Sequence, residues 1–385
     1  MYRAFVYRLY PSPAQGRALS EQLDVHRRLY NRALAERKAA WETQRRSVTR
    51  GEQSAGLKAQ RADDPSLARA NFSACQRTLK RVDRAFAAFF RRVATGEAPG
   101  YPRFRGAHRF ATVEYTHGDG CRFFPHGAPG PASLYVQHVG RIKTKQHRLC
   151  EGAIKAVAVT RKADGWHCVV VCDLGERTAA PRAGPAVGID LGLAVFLATS
   201  DGHTVAPPRY FRKAQAALRR AQRTVARRTK GSHRRRKAVE RLRRLHLHVA
   251  DQRRDFHHKT ALALVRRYGT ICHEGLSITG IARSRLAKSA LDAGWGGFLT
   301  ILRHKAEGAG VRVVAVPPRN TSQACSACGA MLVTPKTLRV RVHTCPCGYA
   351  ADRDVNAARN VLLLGTGNRL GWSRQVVSPT PVGLA

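Results

Sequence analysis

Long apolar runs are absent from the 385-residue sequence, and cysteines are few in it. No run approaches the roughly 20 apolar residues that a membrane-spanning helix needs, so we expect no membrane partner. The first eleven residues hold a short apolar patch interrupted by Arg3 and Arg8, which does not predict a signal peptide. Ten cysteines are too few for a disulfide scaffold in a chain of this length. We therefore expect neither a membrane protein nor a disulfide-rich secreted domain.

Acidic residues are also scarce. The chain carries 25 Asp and Glu against 68 Lys and Arg, a formal net charge of +43. Self-repulsion on this scale opposes compaction unless a polyanion neutralises it. The hydrophobic fraction of 43% is ordinary for a globular protein, so a core is expected and a disordered basic tail is excluded. A membrane-surface protein would need an amphipathic anchor joined to a lipidation motif, which we do not find. The sequence therefore predicts a nucleic-acid partner.

The first half of the chain predicts a β-domain that a helical block interrupts. Residues 2–10 predict a strand, and Ser12 followed by Pro13 predicts a helix start. Residues 154–160 and 166–172 predict a β-hairpin. Residues 43–66, between the two main helices, are polar and end in Asp63-Asp64-Pro65, which predicts a turn. The apolar stripe of the second helix is interpreted as bundle core and consists of Leu79, Val82, Phe86, Phe89, Phe90 and Val93.

The second half of the chain places acids at the ends of predicted elements. One apolar strand ends at Asp190, another ends at Glu274, and a last helix starts near Asp354. A helix over about residues 290 to 308 leads to a strand at Arg312–Val316. This order of strand, hairpin, helices, strand, further strands and helix is typical of the RNase H and resolvase-like nuclease fold.

Asp190, Glu274 and Asp354 are the candidate catalytic residues and metal ligands. A carboxylate at the end of a buried strand is costly unless a cation or hydrogen-bond donors accompany it. Hard oxygen ligands suit Mg²⁺ or Mn²⁺, and two such ions can activate a water and stabilise the leaving oxygen in phosphodiester hydrolysis. Singly, each acid has an ordinary alternative: a turn cap, an arginine ion pair and a helix N-cap, respectively. Asp352 competes with Asp354 because both precede the same helix.

Two cysteine pairs form a second candidate site. Cys325 and Cys328 make a CxxC pair, and Cys345 and Cys347 make a CxC pair. Sixteen residues lie between Cys328 and Cys345. Four thiolates in this spacing can surround a structural Zn²⁺, and a glycine follows each pair. The alternative is two reduced or redox-active pairs. The CxC spacing also leaves open whether its two cysteines bind the same ion. Their use as ligands is typical of a reducing cytoplasm.

Residues 209–244 are the most basic segment, with sixteen Lys or Arg and one acid, Glu240. Like charges destabilise an isolated helix, so this segment needs a polyanion or a tertiary partner unless it is merely a solvated face. A turn-rich segment at residues 100–106 adds basic residues among aromatics. The expected nucleic-acid contacts are Arg103, Arg105, Arg219, Arg220, Arg223, Arg227, Arg228, Lys230, Arg234, Arg235, Arg236 and Lys237.

Nine short motifs follow one another in a fixed order within residues 2 to 364. They are 7–12 (YRLYPS), 30–34 (YNRAL), 101–104 (YPRF), 188–193 (GIDLGL), 253–259 (RRDFHHK), 274–276 (EGL), 295–298 (WGGF), 321–325 (TSQAC) and 352–358 (DRDVNAA). In this order they resemble the TnpB (OrfB) family of insertion-sequence proteins, relatives of type V CRISPR effector nucleases. The third catalytic acid of such proteins resembles the Asp of an Asp-x-Asn-Ala pattern, which selects Asp354. The sequence departs from the commoner pattern at Gly275, where an acid often stands, and in its CxC pair.

The resemblance implies an α/β multidomain fold. Its parts are an RNase H-like (RuvC-like) nuclease domain with an inserted zinc ribbon, and an N-terminal wedge β-barrel interrupted by a helical recognition bundle. The expected boundaries are 1–10 for the first wedge strand, 11–95 for the recognition bundle, 96–180 for the rest of the wedge, 181–320 for the nuclease domain, 321–350 for the zinc ribbon, 351–364 for the last nuclease helix and 365–385 for an irregular tail.

The activity implied by the resemblance is RNA-guided cleavage of DNA. A guide RNA from the end of the transposable element would select complementary double-stranded DNA, and the protein would read a short flanking motif. We expect a monomer with its RNA in a prokaryotic cytoplasm, associated with the nucleoid. The alternatives are a transposase or transposition accessory protein using the same acids, a non-cleaving RNA-guided repressor, and a zinc-finger DNA-binding protein that would leave the three acids unexplained.

Overall fold

The computed structural model of the protein describes residues 1–127, 130–176, 179–331 and 340–367. The chain divides into two compact units, residues 1–176 and 177–385. Of the tail predicted at 365–385, everything beyond residue 367 lies outside the described residues. Within the described ranges, no helix combines the length and apolar character required to span a membrane.

The first unit contains one antiparallel sheet of seven strands, in the order β2-β6-β7-β1-β5-β4-β3. The predicted first strand and the predicted hairpin are confirmed as β1 and as β6 with β7. The bounds of the strands are β1 (Tyr2–Tyr10), β2 (Thr112–Thr116), β3 (Cys121–Phe124), β4 (Ser133–Val136), β5 (Gly140–Lys145), β6 (Ala153–Lys162) and β7 (Gly165–Asp173).

Five helices lie between β1 and β2. The predicted start of the first helix is confirmed, since Ser12 and Gln15 form a capping box at its N-terminus. The turn predicted at Asp63-Asp64-Pro65 corresponds to the break at Asp64 between two short helices. The segment between the two long helices contains three short helices, which its polar composition does not predict. Thr49 and Glu52 form a second capping box there, a sequence signal that the polar composition obscured. The helices are α1 (Pro13–Gln44), α2 (Arg50–Ala55), α3 (Leu57–Asp63), α4 (Pro65–Ala68) and α5 (Phe72–Ala94).

The core of this unit is formed jointly by the inner face of the sheet and the helices α1 and α5. Leu79 and Val82 of α5 belong to it. The interpretation of the whole α5 stripe as bundle core is wrong further along, where Phe90 is 60% and Val93 51% exposed. There the rings of Phe89 and Phe90 pack against each other, and that of Phe89 packs against Tyr101.

The second unit is built on a five-stranded sheet in the order β10-β9-β8-β11-β12, in which β8, β11 and β12 run parallel. The predicted strand at Arg312–Val316 is confirmed as β12. A separate two-stranded sheet pairs β13 with β14. The bounds are β8 (Ala186–Asp190), β9 (Leu197–Thr199), β10 (Thr204–Val205), β11 (Thr270–Glu274), β12 (Arg312–Val316), β13 (Val342–Thr344) and β14 (Ala350–Asp352).

The helices of the second unit lie after β10, after β11 and after β14 in the chain. The helix predicted over about residues 290 to 308 is confirmed over residues 295–307. Its first residues belong to a separate helix, because Gly294 adopts a φ of +68° and separates the two. A left-handed backbone at glycine ends the first helix and begins the second. The helices are α6 (Tyr210–Ala226), α7 (His233–Arg267), α8 (Ile278–Ile281), α9 (Ala287–Ala293), α10 (Trp295–Glu307) and α11 (Arg353–Thr366).

Helix α11 packs unusually close to β8, and a glycine makes this possible. A Cβ added at Gly188 would lie 1.9 Å from the carbonyl oxygen of Ala358. A Cβ added at Gly365 would lie 2.2 Å from Cys272 Sγ on β11. Gly188 therefore lets the backbone of α11 approach β8, Gly365 leaves room for the Cys272 side chain, and the first turn of α11 reaches the end of β8.

Candidate functional site

Asp190 and Glu274 end two neighbouring parallel strands at the same edge of the sheet. Ile189 of β8 pairs in register with His273 of β11, so the next residue of each strand is one of the two acids. Because the carboxyl ends of parallel strands face the same side, ligands commonly meet side chains at such an edge. The strand ends predicted from sequence are thus brought together.

Asp354 lies in the first turn of α11 and is 8% exposed. A Cβ added at Gly192, just after β8, would lie 3.8 Å from Asp354 Oδ2, which puts this carboxylate beside the β8 end. Asp352 has a different role. Its Oδ1 accepts hydrogen bonds from the amides of Asp354, at 2.8 Å, and Val355, at 3.3 Å, as the N-cap of α11.

The electrostatics of Asp190 reflect this convergence. Burial raises its pKa to about 8, and the negative charges of Glu274 and Asp354 add to the increase. Burial also raises the pKa of Glu274, while a hydrogen bond from the Thr321 hydroxyl acts against it. Buried carboxylates that repel one another are a donor set that fits a hard divalent cation.

Thr321, Asn356 and Asn360 fix the surroundings of the acids, and sequence reasoning assigned them no role. Thr321 Oγ1 donates to Glu274 Oε1. Asn360 Nδ2 donates to the carbonyls of Thr321, at 2.8 Å, and Ala324, at 2.9 Å. Asn356 Nδ2 donates to Ala324 O at 2.8 Å. The two asparagines are spaced one turn apart on α11, a pattern that could have suggested a common face.

All four cysteines of the two pairs converge. Cys325 Sγ lies 3.8 Å from Cys347 Sγ, and Cys328 Sγ lies 3.6 Å from Cys345 Sγ. A tetrahedral Zn²⁺ with bonds of about 2.3 Å needs sulfur separations of about 3.8 Å. The residues present therefore fit a zinc ion, and the CxC pair contributes both its sulfurs to the same cluster.

Backbone turns shape each half of the cysteine cluster. Gly329 and Gly348 have φ of 76° and 87°, a left-handed conformation that favours glycine. Their amides donate to Cys325 O at 2.9 Å and to Cys345 O at 3.0 Å. A backbone hydrogen bond from Tyr349 lowers the pKa of Cys347 to about 7. The second turn thus favours the thiolate, the form that binds metal.

The cysteine cluster and the acids are joined by the segment that carries both. Asn356 Oδ1 accepts from the amide of Ser326, inside the CxxC pair, at 2.9 Å. Arg341, which precedes β13, donates to Asp354 Oδ2. The position of α11 is therefore tied to the fold of the cysteine region.

The predicted nucleic-acid residues divide into two groups. Two of them have structural partners: Arg105 packs over the ring of Tyr30, and Arg235 Nη1 donates to the carbonyls of Val225 and Arg228 at the turn between α6 and α7. Arg103 is exposed in the first unit, and the remaining members of the basic segment are exposed on α6, on α7 or in the turn between them. The exposed set is Arg103, Arg219, Arg220, Arg223, Arg227, Arg228, Lys230, Arg234, Arg236 and Lys237.

Three family models match parts of the chain. A model described as "Probable transposase" (OrfB of IS605) matches residues 169–285, and a Cas12f1-like TNB domain matches residues 295–361. A helix-turn-helix domain model matches residues 1–46. In the structure this last range forms β1 and the single helix α1.

Similar proteins cover nearly the whole chain. A "Putative RNA-guided DNA endonuclease" of Streptomyces pristinaespiralis is 32% identical over 94% of this chain and 89% of its own length. The "Putative RNA-guided DNA endonuclease InsQ" of Escherichia coli K12 is 27% identical over 94% and 92%. Two solved structures share the mixed α/β fold: a Cas12f1 in complex with sgRNA and target DNA (TM-score 0.54, 13% identity, 90% and 82% covered) and the endonuclease Cas_phi3 (0.53, 10%, 97% and 93%). The chain therefore belongs to the TnpB (OrfB) family of transposon-encoded proteins.

Proposed function

We propose that this protein is an RNA-guided DNA endonuclease encoded by a transposable element. The observation that carries the proposal is the meeting of Asp190, Glu274 and Asp354 at one edge of the second sheet. The relatives that match nearly the whole chain bear the name of this activity. Three acids from separate elements, one buried and two half-buried, are hard to explain by stability alone, because each adds a desolvation cost.

The three acids bind divalent cations, Mg²⁺ or Mn²⁺, in this proposal. Such ions activate a water and stabilise the leaving oxygen of a phosphodiester bond. Asp190 and Glu274 offer oxygens from a rigid pair of strands, and Asp354 approaches from α11. Thr321 holds one Glu274 oxygen, which leaves the other free to face the reacting phosphate. The shared edge thereby orients the scissile bond against carboxylates whose positions are set by the sheet.

The nucleic acid is held by the exposed cations. Ten predicted residues of the basic segments are solvent-exposed and contact phosphates. A guide RNA from the end of the element binds the protein, pairs with target DNA and supplies sequence specificity. The protein reads a short flanking motif. The complex contains one protein chain and acts in the cytoplasm beside the nucleoid.

The domain scheme is part of the proposal. The first unit corresponds to a wedge β-barrel (1–10 and 96–180) with an inserted recognition bundle (11–95). The second corresponds to a RuvC-like nuclease domain (181–320 and 351–364) with a zinc ribbon at 321–350. Support comes from the inserted position of α1 to α5, from the strand order of the second sheet and from the four converging sulfurs. Zn²⁺ is structural in this scheme.

Cleavage by purified protein tests the proposal. The protein should copurify with a defined RNA that resists a high-salt wash. With Mg²⁺ it should cut DNA that is complementary to the guide part of that RNA. Nuclease treatment of the protein should remove this activity, and addition of a matching guide RNA should restore it. Asp190→Ala should retain RNA and DNA binding but lose cleavage. Equal cutting by RNA-free protein on any DNA would contradict RNA guidance, and strand transfer without RNA would favour a transposase.

A further inference from the structure

One stretch of the first unit contains no acidic residue. Residues 120–150 include β3, β4 and β5, and they carry five Lys or Arg but no Asp or Glu. Strand β1 pairs with β5 and extends the same sheet region. Four neighbouring strands therefore share an edge of the sheet on which positive charge is concentrated.

Cross-strand register places rings and cations side by side on this region. Tyr10 of β1 lies opposite Lys143 of β5, which lies opposite Ser133 of β4, which lies opposite Phe124 of β3. Because directly paired residues point to the same face, these side chains form one row across four strands.

A second row runs beside the first. Tyr135 of β4 lies between Arg141 of β5 and Arg122 of β3. The members are two residues from those of the first row on each strand, so both rows lie on one face. We call this surface the ring–cation face; it consists of Tyr10, Phe124, Tyr135, Arg122, Arg141 and Lys143.

The ring–cation face is open to solvent. Tyr10 is 48% and Tyr135 41% exposed, and the three basic side chains are exposed as well. A groove of about 470 Å³ opens beside Tyr10 and Lys143. The alternating residues on the opposite face, such as Leu134 and Ile142, are buried in the core, so the register cannot slip without exposing them.

Arginines already associate with these rings. The Arg141 guanidinium carbon lies 4.1 Å from the centroid of Phe124, and that of Arg122 lies 5.4 Å from it. At the margin of the face, Arg8 Nη1 lies 3.4 Å from Asp164 Oδ2. Within the part of the chain that the structure describes, Arg122, Arg141 and Lys143 form no ion pair with an acid. The face thus offers planar groups and unneutralised charge together.

We infer that the ring–cation face binds an unpaired stretch of the RNA that the protein carries. Exposed rings stack on unpaired bases, and adjacent cations contact the phosphates that join them. Tyrosine and serine hydroxyls in the rows can bond a ribose 2′-OH, which DNA lacks. The inference deepens the proposed function, on which it rests for the identity of the RNA, by naming the surface and the unpaired state of the segment.

A duplex would use this face less well. Its bases are stacked on each other, so it offers phosphates to the cations but no open base to the rings. An acidic protein surface would form ion pairs with the cations, but its carboxylates would gain little binding free energy from the rows of rings. The combination therefore favours a single strand.

Binding measurements on the full-length chain test the inference. The probes are a fluorescein-labelled oligouridine RNA, the matching oligothymidine DNA and an RNA hairpin of similar charge. The Tyr10→Ala/Tyr135→Ala variant should lose about 5-fold or more in affinity per ring for the single-stranded RNA and little for the hairpin. Tyr2→Ala is the matched control, because Tyr2 is 63% exposed on β1 but pairs opposite Asp173.

Two further variants separate stacking from charge. Tyr10→Phe/Tyr135→Phe keeps the rings, so it should retain DNA affinity and lose part of the preference for RNA. Lys143→Ala should reduce the slope of log affinity against log salt by about one for every probe. Ultraviolet crosslinking of the RNA-loaded protein should place RNA on the peptides that carry Tyr10, Phe124 or Tyr135.

Three outcomes would overturn the inference. They are equal losses of affinity for the single strand and the hairpin, DNA bound as well as RNA by the unchanged protein, and unchanged affinity for single-stranded RNA in the Tyr10→Ala/Tyr135→Ala variant. The Phe variant also guards against misfolding, since it should match the unchanged protein in melting temperature. Guided cleavage is scored separately. Failure of cleavage with ring-dependent RNA binding would contradict only the proposed function, and intact cleavage with ring-independent binding would contradict only this inference.

Discussion

Arg341 and Asp354 form an ion pair between the cysteine region and the first turn of α11. The guanidinium occupies one oxygen of a buried carboxylate that stands beside Asp190. It supplies positive charge where the three acids repel one another.

Arg341→Ala should therefore have opposite effects on two quantities. Without divalent ions the melting temperature should fall, because Asp354 loses its partner. The affinity for Mg²⁺ should rise about 5-fold, since a neighbouring charge is worth about 1 kcal/mol near water. A calorimetric titration measures it. Arg312→Ala, at the first residue of β12, is the control; equal effects of both changes would contradict a local role.

Asp354→Asn and Asp352→Asn should differ sharply. The first removes a charged ligand and should abolish cleavage while leaving nucleic-acid binding intact. The second replaces one good N-cap residue by another, so cleavage should persist and the melting temperature should change little. Single-turnover rates and thermal melts on both variants measure this. Loss of cleavage in Asp352→Asn alone would reverse the assignment.

Purified protein should contain close to one zinc per chain. Cys328→Ser should remove it, because three thiolates hold the ion less well than four. Residues near the cysteine cluster should then exchange amide hydrogens faster, and cleavage should fall because Asn356 no longer has a fixed partner. Elemental analysis and hydrogen exchange measure the two effects. Cys150→Ser, in the first unit, should change neither.

Gly188→Ala should destabilise the second unit by about 3 kcal/mol, the upper range for overpacking, because its Cβ would meet the Ala358 carbonyl at 1.9 Å. Displacement of α11 should also remove cleavage. Gly296→Ala on α10 is the control, since its Cβ would have no neighbour closer than 3.8 Å. Chemical denaturation compares the variants. Similar stability for both would contradict the close packing of α11.

His26 should make stability depend on acid pH. It is fully buried, its Nδ1 lies 2.9 Å from Thr78 Oγ1, and burial lowers its pKa to about 4. The unfolded chain binds a proton near pH 6.5 and the folded chain does not, so the contribution is complete above that pH and is lost as pH falls towards about 4. His26→Gln should flatten this part of the stability curve relative to the unchanged protein, measured by urea unfolding at several pH values. An unaltered slope would contradict the role of His26.

Much of the fold is predictable from signals between residues that are close in sequence. The Ser12 cap, the Asp164-Gly165 turn and the apolar run at Arg312–Val316 each specify their element through neighbours in sequence. The break at Gly294 was missed because glycine is tolerated within helices, and the left-handed backbone there depends on α9 and α10 packing separately. The exposure of Phe90 depends on which elements pack opposite α5. The periodicity of apolar residues within α5 does not specify that packing.

The candidate site also has a part that the sequence predicts and a part that it does not. Strand ends at Asp190 and Glu274 follow from apolar runs, so their placement was predictable. The choice between Asp352 and Asp354 was not predictable from spacing, because it depends on which side chain accepts the amides of α11. The contacts of Thr321 and Asn360 link residues 39 positions apart, and no local pattern specifies them.

The position of α11 has a consequence for the order in which the site is completed during synthesis. Strands β8 and β11 emerge from the ribosome long before Asp354 is translated, and α11 is the last described helix. A nascent or prematurely terminated chain that ends before α11 has the basic helices and two of the three acids. Under the proposed function, such a chain would hold nucleic acid but lack the third carboxylate, so the capacity to cut would arise only after the surfaces that capture RNA have been made.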